Sequence, residues 1–363
     1  MLIKVIIWEA KVDLNEYLKL SVERNASDLH LTENSPPILR IDGKLVFTEE
    51  EPFTREELKR SIYGILTDLQ KEQFERDLEL DFSITLENSD RFRVNVHMQR
   101  GCVEAAFRRV PMVIPSVEEL GLPSAIYNFA RKTQGLVLIT GPTGTGKTTT
   151  LASMINIINE ERACMIMCIE DPIEYIHKNK KSVIKQREVY NDTHSFAEAL
   201  KRCLRQDPDV IVVGEMRDLE TIATALTAAE TGHLVLATLH TPDTAQTIER
   251  IIDVFPPNQQ QQVRLQLSSS LQGVTSQILL PHADGEGRIL ASEVLVATPA
   301  IRNLIRERAV EQIPTVLQTG QKYGMHTMDA SLKELVQAGL VTYEDALQHV
   351  KNVEEFKTLL NMD

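Results

Sequence analysis

Hydrophobic and polar residues alternate strictly along residues 91–99. A period of two is that of a strand with one buried face, so the pattern predicts a half-buried strand. The predicted buried face carries Phe92, Val94, Val96 and Met98, and the polar, cationic outer face carries Arg91, Arg93, Asn95, His97 and Gln99. Arg100-Gly101 then predicts a turn into a second strand that runs to Arg109.

The segment before this strand predicts a small domain of mixed helix and strand. Apolar residues at helical spacing favour an amphipathic helix that begins near Asp13 and leads into a short strand at Leu29–Leu31. Two apolar runs, residues 38–41 and 44–47, flank Asp42-Gly43, a dipeptide typical of a two-residue hairpin turn. A charge-rich stretch over residues 54–80 is typical of a helix. Residues 1–12 precede this domain as an extension, which is too short to cross a bilayer and lacks the cleavage site of a signal peptide.

A proline-containing stretch, residues 113–123, predicts a linker between an N-terminal domain, residues 1–112, and a second domain, residues 124–363. Beyond the linker, apolar runs alternate with helical segments, which is typical of a parallel sheet covered by helices on both faces. The predicted strands are Leu136–Thr140, Cys164–Ile169, Val210–Val213 and Leu234–Ala237. From Pro299 onward the pattern is mostly helical, with breakers at Pro314, Gly320 and Gly324. The predicted fold class is therefore α/β, with a smaller α+β domain ahead of it and a helical tail.

Composition narrows the class of protein. The chain has 363 residues, 42% hydrophobic and 25% charged, as expected for a soluble globular protein of two domains. Its formal net charge of -13 disfavours nucleic acid as a partner. The four cysteines form no CxxC pair, so we expect no zinc site, and a reducing cytoplasm suits them.

Residues 141–148 match the phosphate-binding pattern GxxxxGK[ST] between an apolar strand and a helix. Glycines allow backbone N–H groups to curve around phosphates, and the helix N-terminus adds a positive dipole. We expect Lys147 to reach the β- and γ-phosphates as a catalytic residue, and Thr148 to coordinate Mg²⁺. The predicted nucleotide-binding residues are Gly141, Pro142, Thr143, Gly144, Thr145, Gly146, Lys147, Thr148 and Thr149.

Hydrolysis also needs a group that orients or activates water. The apolar strand Val210–Val213 is followed by Gly214 and Glu215, so that this carboxylate lies at the carboxyl edge of the sheet, beside the phosphates. We interpret Glu215 as the water-activating base. The alternative is an acidic residue that starts a helix.

A second acidic stretch, Glu170–Glu174, ends another apolar strand, and Pro172 within it predicts a turn. Its carboxylates Glu170, Asp171 and Glu174 are candidates to hold Mg²⁺ through waters, with Glu174 also a candidate catalytic group. A solvated acidic turn is the alternative, and the spacing does not tell which carboxylate faces the metal.

Two histidines, His233 and His240, bracket the strand Leu234–Leu239. Both imidazoles are candidates to sense the γ-phosphate. Histidines at strand ends are more often structural, so the motif alone leaves both interpretations open.

Taken in order, these stretches resemble the secretion ATPase superfamily, and within it the type IV pilus retraction (twitching motility) ATPases called PilT. The resemblance covers about residues 13–329 and rests on Ala26–Leu31, the phosphate-binding loop, Glu170–Glu174, Val210–Glu215 and His233–His240. Two features favour retraction over pilus assembly. The chain has no tetracysteine zinc insertion, and Ala300–Glu307 is similar to the C-terminal motif of the retraction ATPases.

The resemblance implies a RecA-like ATPase domain preceded by a PAS-like domain, with ATP or ADP and Mg²⁺ as bound groups. It implies a homohexamer in the cytoplasm, peripheral at the inner face of the cytoplasmic membrane. In such a ring, arginines of the N-terminal domain reach the nucleotide, and by motif position these are Arg93 and Arg108. The implied partners are an inner-membrane pilus platform protein and, as a candidate, a paralogous retraction or assembly ATPase.

Two other functions stay open at this point. A nucleotide-switched accessory subunit with little turnover would carry the same loop, although the presence of Lys147, Thr148 and Glu215 argues against it. A nucleic-acid translocase would share the RecA-like core, but the acidity of the chain and the lack of an aromatic and basic platform weigh against it.

Overall fold

The computed structural model describes residues 14–41, 43–86, 90–111, 113–285, 287–351 and 353–360. The chain divides into two compact units, residues 1–112 and residues 113–363. The predicted extension, residues 1–12, and the predicted turn residue Asp42 lie outside the described residues.

Among its described residues, the N-terminal unit combines three helices with one sheet. Its elements are α1 Leu14–Glu23, β1 Asp28–Leu31, β2 Ile38–Ile41, β3 Lys44–Phe47, α2 Arg55–Gly64, α3 Asp68–Asp77, β4 Glu79–Thr85, β5 Arg91–Gln99 and β6 Cys102–Val110. The strands pair antiparallel in the order β3-β2-β1-β6-β5-β4. The predicted buried face of β5 is correct for Phe92, Val94 and Val96, whereas Met98 is 37% exposed near the end of the strand.

The stretch predicted to be helical over residues 54–80 is helical over Arg55–Gly64 and Asp68–Asp77. Two helices form there, because two capping boxes follow each other in the sequence: Thr54 with Glu57 starts α2, and Thr67 with Gln70 starts α3. The stretch then ends in β4, where Leu80 and Phe82 are buried on alternate positions.

The second unit contains one large sheet with helices. Its elements up to the last strand are α4 Ala125–Ala130, β7 Gly135–Thr140, α5 Lys147–Glu161, β8 Met165–Glu170, β9 Val183–Glu188, α6 Phe196–Cys203, β10 Val210–Val213, α7 Leu219–Glu230, β11 Leu234–Leu239, α8 Thr244–Asp253, α9 Pro257–Ser270, β12 Leu271–Pro281 and β13 Arg288–Val296. The C-terminal helices are α10 Pro299–Arg306, α11 Ile313–Gln318, α12 Met328–Gln337, α13 Tyr343–Leu347 and α14 Val353–Leu359. Pro314 does not break a helix as predicted but lies in the first turn of α11, where its missing N–H is harmless.

The strand order of this sheet is β13-β12-β7-β11-β10-β8-β9, parallel throughout except for β13. All four predicted strands are present as β7, β8, β10 and β11. Three further strands of this sheet, β9, β12 and β13, were not predicted. β9 lies at the sheet edge and is largely polar, and β12 follows α9 with no breaker between them.

This topology decides where the predicted site residues meet. Parallel strands bring their carboxyl ends to one edge of the sheet. The register pairs Val213 with Ile169 and Thr140 with Leu239, so the loops after β7, β8, β10 and β11 all leave from that edge. Within the described ranges, no helix combines the length and hydrophobicity that a membrane span requires.

Candidate functional site

The phosphate-binding loop connects β7 to α5, and Lys147 is the first residue of that helix. Gly144 and Gly146 have φ angles of 81° and 84°, which glycine adopts without strain. Gly146 is the N-cap of α5, so the positive end of a 15-residue helix opens onto the loop. The loop therefore has the backbone geometry that an anion requires.

Gly141 is required for a second reason, the packing of a neighbouring strand. Its φ angle is 140°, and a Cβ atom at this position would lie 2.3 Å from the carbonyl oxygen of Gln277 in β12. No other residue fits there without displacing backbone. The start of the loop is thus held against β12 by close backbone contact.

The side chain of Lys147 is buried within the loop. Its ammonium donates hydrogen bonds to the carbonyl oxygens of Gly141 and Pro142, at 2.9 and 2.8 Å. Burial lowers the pKa of Lys147, and the nearby carboxylates of Glu215 and Glu174 partly oppose this effect. Lys147 and these two carboxylates therefore belong to one electrostatic site.

Glu215 follows β10, and its carboxylate contacts two side chains, those of His240 and Arg217. Its Oε1 lies 3.3 Å from Nε2 of His240, and its Oε2 lies 2.6 Å from Nη2 of Arg217. Burial alone would raise the pKa of Glu215, but hydrogen bonds and charge from Arg217 and His240 outweigh it and lower the pKa. The carboxylate therefore stays ionised, as a group that accepts a proton must be.

His240 connects this carboxylate to the phosphate-binding loop. While its Nε2 faces Glu215, its Nδ1 lies 3.4 Å from the hydroxyl oxygen of Thr143. One partner on each ring nitrogen sets the orientation of the imidazole. The structure thus brings together three predicted residues, Thr143, His240 and Glu215.

His233 lies at the opposite edge of the sheet. It precedes β11, and its carbonyl accepts a 2.9 Å hydrogen bond from Gly135 at the start of β7. Its Nδ1 lies 3.0 Å from the carbonyl oxygen of Ala228 in α7. Six residues of extended chain separate it from His240, so the Cα atoms of the two histidines are about 23 Å apart. Within one chain His233 does not meet the phosphate-binding loop, and its contacts are those of a helix-capping residue.

The acidic stretch after β8 has a buried part and an exposed part. Glu170 is buried and accepts a 2.9 Å hydrogen bond from Nε2 of Gln186. Burial raises the pKa of Glu170 to about 7. Asp171 and Glu174 are exposed. In the part of the chain that the structure describes, no three Asp, Glu, His or Cys side chains converge as a cage for a metal ion.

Mg²⁺ does not need such a cage, because it is commonly held by one or two protein oxygens together with waters and phosphates. Thr148 and Glu170 border the same small cavity of about 20 Å³, together with Gly214 and His177. These two oxygen-bearing side chains fit the donor chemistry of Mg²⁺. Burial lowers the pKa of His177 to about 4, so this imidazole is neutral.

The acidic stretch is also attached to the helix that starts at Lys147. The hydroxyl oxygen of Tyr175 lies 3.1 Å from that of Thr149 in α5. Gln186, which holds Glu170, donates a second hydrogen bond of 2.7 Å to the carbonyl oxygen of Tyr175. The predicted nucleotide-binding segment and the predicted metal-binding stretch are therefore linked by side chains.

Arg93 and Arg108, in the N-terminal unit, are register partners on β5 and β6 and share one face of the sheet. Nε of Arg108 donates a 2.8 Å hydrogen bond to Asp28, and Nε of Arg40 lies 3.8 Å from the same carboxylate. Burial alone would raise the pKa of Asp28, but its hydrogen bond from Arg108 helps to lower it. Two guanidinium groups, those of Arg40 and Arg108, thus face the one buried carboxylate of Asp28, whereas Nη2 of Arg93 lies 4.0 Å from the carboxylate of Asp81.

Arg217, Asp28 and Gln186 contribute to these arrangements and were not predicted. Asp28 lies within Ala26–Leu31 and Arg217 lies two residues after Glu215, but their contacts depend on side-chain directions that spacing does not supply. Gln186 lies on β9, the polar edge strand. The sequence signal for Arg217 was its position two residues after Glu215, which places a cation near that carboxylate.

Residues 9–348 match the family described as Type II/IV secretion system protein. The type IV pilus retraction ATPase PilT of Pseudomonas aeruginosa is 48% identical over 345 residues, 95% of this chain and 100% of that protein. The twitching motility protein of Neisseria gonorrhoeae is 50% identical over 318 residues, 88% of this chain and 85% of that protein.

The similarity extends to a solved structure. The crystal structure of the pilus retraction motor PilT with bound ADP matches with a TM-score of 0.90 at 47% identity, over 95% of this chain and 99% of that chain. The predicted resemblance and the predicted α/β fold class are confirmed by these comparisons.

Proposed function

The chain belongs to the Type II/IV secretion system protein family, and we propose that it is an ATPase motor that hydrolyses ATP to power type IV pilus retraction. The observation that carries the proposal is the contact series from Thr143 through His240 to Glu215, at 3.4 and 3.3 Å. It joins a phosphate-binding loop to an ionised carboxylate, which is the pairing that nucleotide hydrolysis requires.

Binding uses the loop and the first turn of α5. Backbone N–H groups of residues 141–149 and the dipole of α5 attract the phosphates. The ammonium of Lys147 moves from the carbonyl oxygens of Gly141 and Pro142 to phosphate oxygens, which offer it a stronger, charged partner.

Hydrolysis uses Glu215 as the base. Its carboxylate accepts a proton from the attacking water, and His240 and Arg217 hold it in place. Because His240 also contacts Thr143, it couples the position of the phosphate-binding loop to that of the Glu215 carboxylate. The role of a γ-phosphate sensor therefore belongs to His240 within one chain.

The side chains of Thr148 and Glu170 would hold Mg²⁺, with Asp171 and Glu174 acting through waters. When bound, this ion supplies positive charge that stabilises the phosphate oxygens. The proximity of Glu174 to Lys147 supports its place at the same site.

The active form proposed is a homohexamer at the inner face of the cytoplasmic membrane. In it, Arg93 and Arg108 of one subunit reach the nucleotide of a neighbour. Their position as register partners and the exposure of their side chains, 46% and 72%, support this role. The proposed partners are an inner-membrane pilus platform protein and a paralogous pilus ATPase. Retraction then follows from ATP-driven movement of this ring against the platform protein.

The test is phosphate release by the purified full-length protein with ATP and Mg²⁺, together with its oligomer mass. Glu215→Gln keeps the shape of the side chain and removes the base, so we expect turnover to fall about a hundredfold or more with ATP binding retained. Glu220→Gln on α7 is the matched control, since Glu220 pairs with Lys201 at an exposed site. Turnover that survives Glu215→Gln would show that Glu215 is not the base, and a folded hexamer without turnover would favour the accessory subunit.

A further inference from the structure

Helix α8 begins shortly after His240, and two carboxylates and one ammonium meet at its start: those of Asp243, Glu293 and Lys351. Asp243 is the N-cap of α8. Glu293, on β13, accepts hydrogen bonds of 3.0 and 2.8 Å from the backbone nitrogen and the hydroxyl of Thr244. The ammonium of Lys351, between α13 and α14, lies 3.1 Å from Asp243 and 3.8 Å from Glu293.

Lys351 supplies the positive charge that this arrangement needs. The side chains of Asp243 and Glu293 are 10% and 4% exposed, so neither carboxylate is well hydrated. The dipole of α8 offsets part of the cost of burying two negative charges, and a paired cation offsets more. Burial lowers the pKa of Lys351, but Glu293 and Asp243 together reverse this effect and raise it, so the ammonium stays charged.

The start of α8 is close to His240 along the chain. Thr241 and Pro242 alone separate His240 from Asp243. Thr241 is itself attached to α8, because its hydroxyl oxygen lies 2.6 Å from that of a threonine on the helix. Since proline restricts the backbone of this short segment, a movement of the start of α8 reaches His240. The position of the imidazole opposite Glu215 therefore depends on where α8 begins.

A cavity of about 700 Å³ borders the same ion pairs. Its lining includes residues of α11, α12 and α14 together with Glu293 and Lys351. The side chain of Lys351 is 49% exposed, so its ion pairs hold it more than packing does. Removal of its charge therefore breaks the ion pairs without emptying a packed core.

We infer that Lys351 is a positioning residue for hydrolysis, which holds the start of α8 and thereby keeps His240 opposite Glu215. The inference rests on the proposed function, because it gives Lys351 a part in the same hydrolytic step. A rearrangement of the C-terminal helices that withdraws Lys351 then slows turnover. These helices thus regulate the site through the loop after β11.

The test uses the full-length chain with Lys351→Met, which removes the charge and keeps the length of the side chain. Lys357→Met is the matched control, because Lys357 pairs with Glu354 at 3.0 Å within α14. In Lys351→Met we expect kcat to fall about tenfold, with KM for ATP within about twofold of wild type, since the imidazole is displaced and the phosphate-binding loop is not. Lys351→Arg restores the charge and should recover most of kcat, and Lys357→Met should match wild type.

Hydrogen exchange of backbone amides in residues 240–247 gives a second readout that does not depend on turnover. Lys351→Met should increase exchange there and Lys357→Met should not. If Lys351→Met is not a hexamer, the double variant with Asp243→Asn, which keeps a capping side chain and removes one buried charge, should give the same two results.

Three results would overturn the inference: equal kcat in Lys351→Met and Lys357→Met, unchanged exchange in residues 240–247, or a loss of kcat that Lys351→Arg does not recover. A wild-type hexamer without turnover contradicts the proposed function instead. In that case the exchange comparison still decides whether Lys351 holds α8.

Discussion

Nε2 of His240 lies 3.3 Å from Oε1 of Glu215, while Nδ1 of the same ring lies 3.4 Å from the hydroxyl oxygen of Thr143. One imidazole thus spans two segments that come from different strands of the sheet, β7 and β10. Because each ring nitrogen has its own partner, the phosphate-binding loop and the carboxylate cannot move independently. This contact is the basis of the first two predictions.

His240→Ala should slow turnover and leave nucleotide binding intact. Loss of the ring releases Glu215 from one of its two partners, and we expect kcat to fall about tenfold or more, with the Kd for ATP within about threefold of wild type. Phosphate release and binding of a fluorescent ATP analogue measure the two quantities. His349→Ala, at an exposed position near the C-terminus, should behave as wild type. A raised Kd with unchanged kcat would assign His240 to binding instead.

Arg217→Gln should move the acid limb of the pH profile of kcat to higher pH. Arg217 helps to lower the pKa of Glu215, so its removal raises that pKa. A base is active when ionised, and activity is lost as pH falls through its pKa, so the loss occurs at higher pH in the variant. At pH 8 we expect kcat within about threefold of wild type. Arg202→Gln, which breaks an exposed 3.1 Å pair with Glu198, should leave the profile in place.

His177→Gln should make stability less sensitive to acid. An imidazole in the unfolded chain binds its proton near pH 6.5, whereas burial lowers the pKa of His177 to about 4. The folded state binds fewer protons in this window, so stability is complete above pH 6.5 and is lost as pH falls toward 4. From pH 7 to 5 this loss is about 2 kcal/mol, or about 5 °C in Tm.

The measurement is the Tm of wild type, His177→Gln and His349→Gln between pH 5 and 7. The decrease in Tm on acidification should be smaller in His177→Gln than in the other two proteins. Three parallel curves would show that His177 does not titrate with a lowered pKa.

Asp28→Ala should impair turnover of the ring without dissociating it. Asp28 holds Arg108 through a 2.8 Å hydrogen bond, and a mobile guanidinium loses part of its effect, so we expect kcat to fall about tenfold. Asp28→Asn keeps an acceptor oxygen and should recover most of kcat. Asp90→Ala breaks a similarly buried pair with Arg109 at 3.2 Å and serves as control. Equal losses of kcat in Asp28→Ala and Asp90→Ala would show that both ion pairs act only by stabilising the fold.

The fold was predictable where one residue pattern dominated. Strict alternation located β5, and continuous apolar runs located β7, β8, β10 and β11. The stretch over residues 54–80 is helical as predicted, but its division into two helices, which Thr54 and Thr67 start as capping residues, was not predicted. β12 was not predicted, because its sequence follows that of α9 with no helix-breaking residue between them.

The candidate site was predictable where chemistry depends on the local backbone. The glycines and Lys147 of the phosphate-binding loop act within one strand-to-helix connection, so their spacing is sufficient. Glu215 was identified because it follows an apolar strand, and this too is a pattern of residues that are close in sequence. His233 and His240 lie at the two ends of β11, as their positions in the sequence predict, and within one chain it is His240 that contacts the phosphate-binding loop.

Local residue patterns were sufficient to identify the phosphate-binding loop, the acidic residues at strand ends and the family resemblance, because each depends on residues that are neighbours along the chain. Which side chains meet depends instead on the three-dimensional fold. The approach of His240 to Glu215, the contact of Gly141 with Gln277 and the ion pairs of Lys351 all join distant segments. The physical reason is that strand order, register and side-chain direction are set by packing of the whole sheet, and no local pattern encodes them.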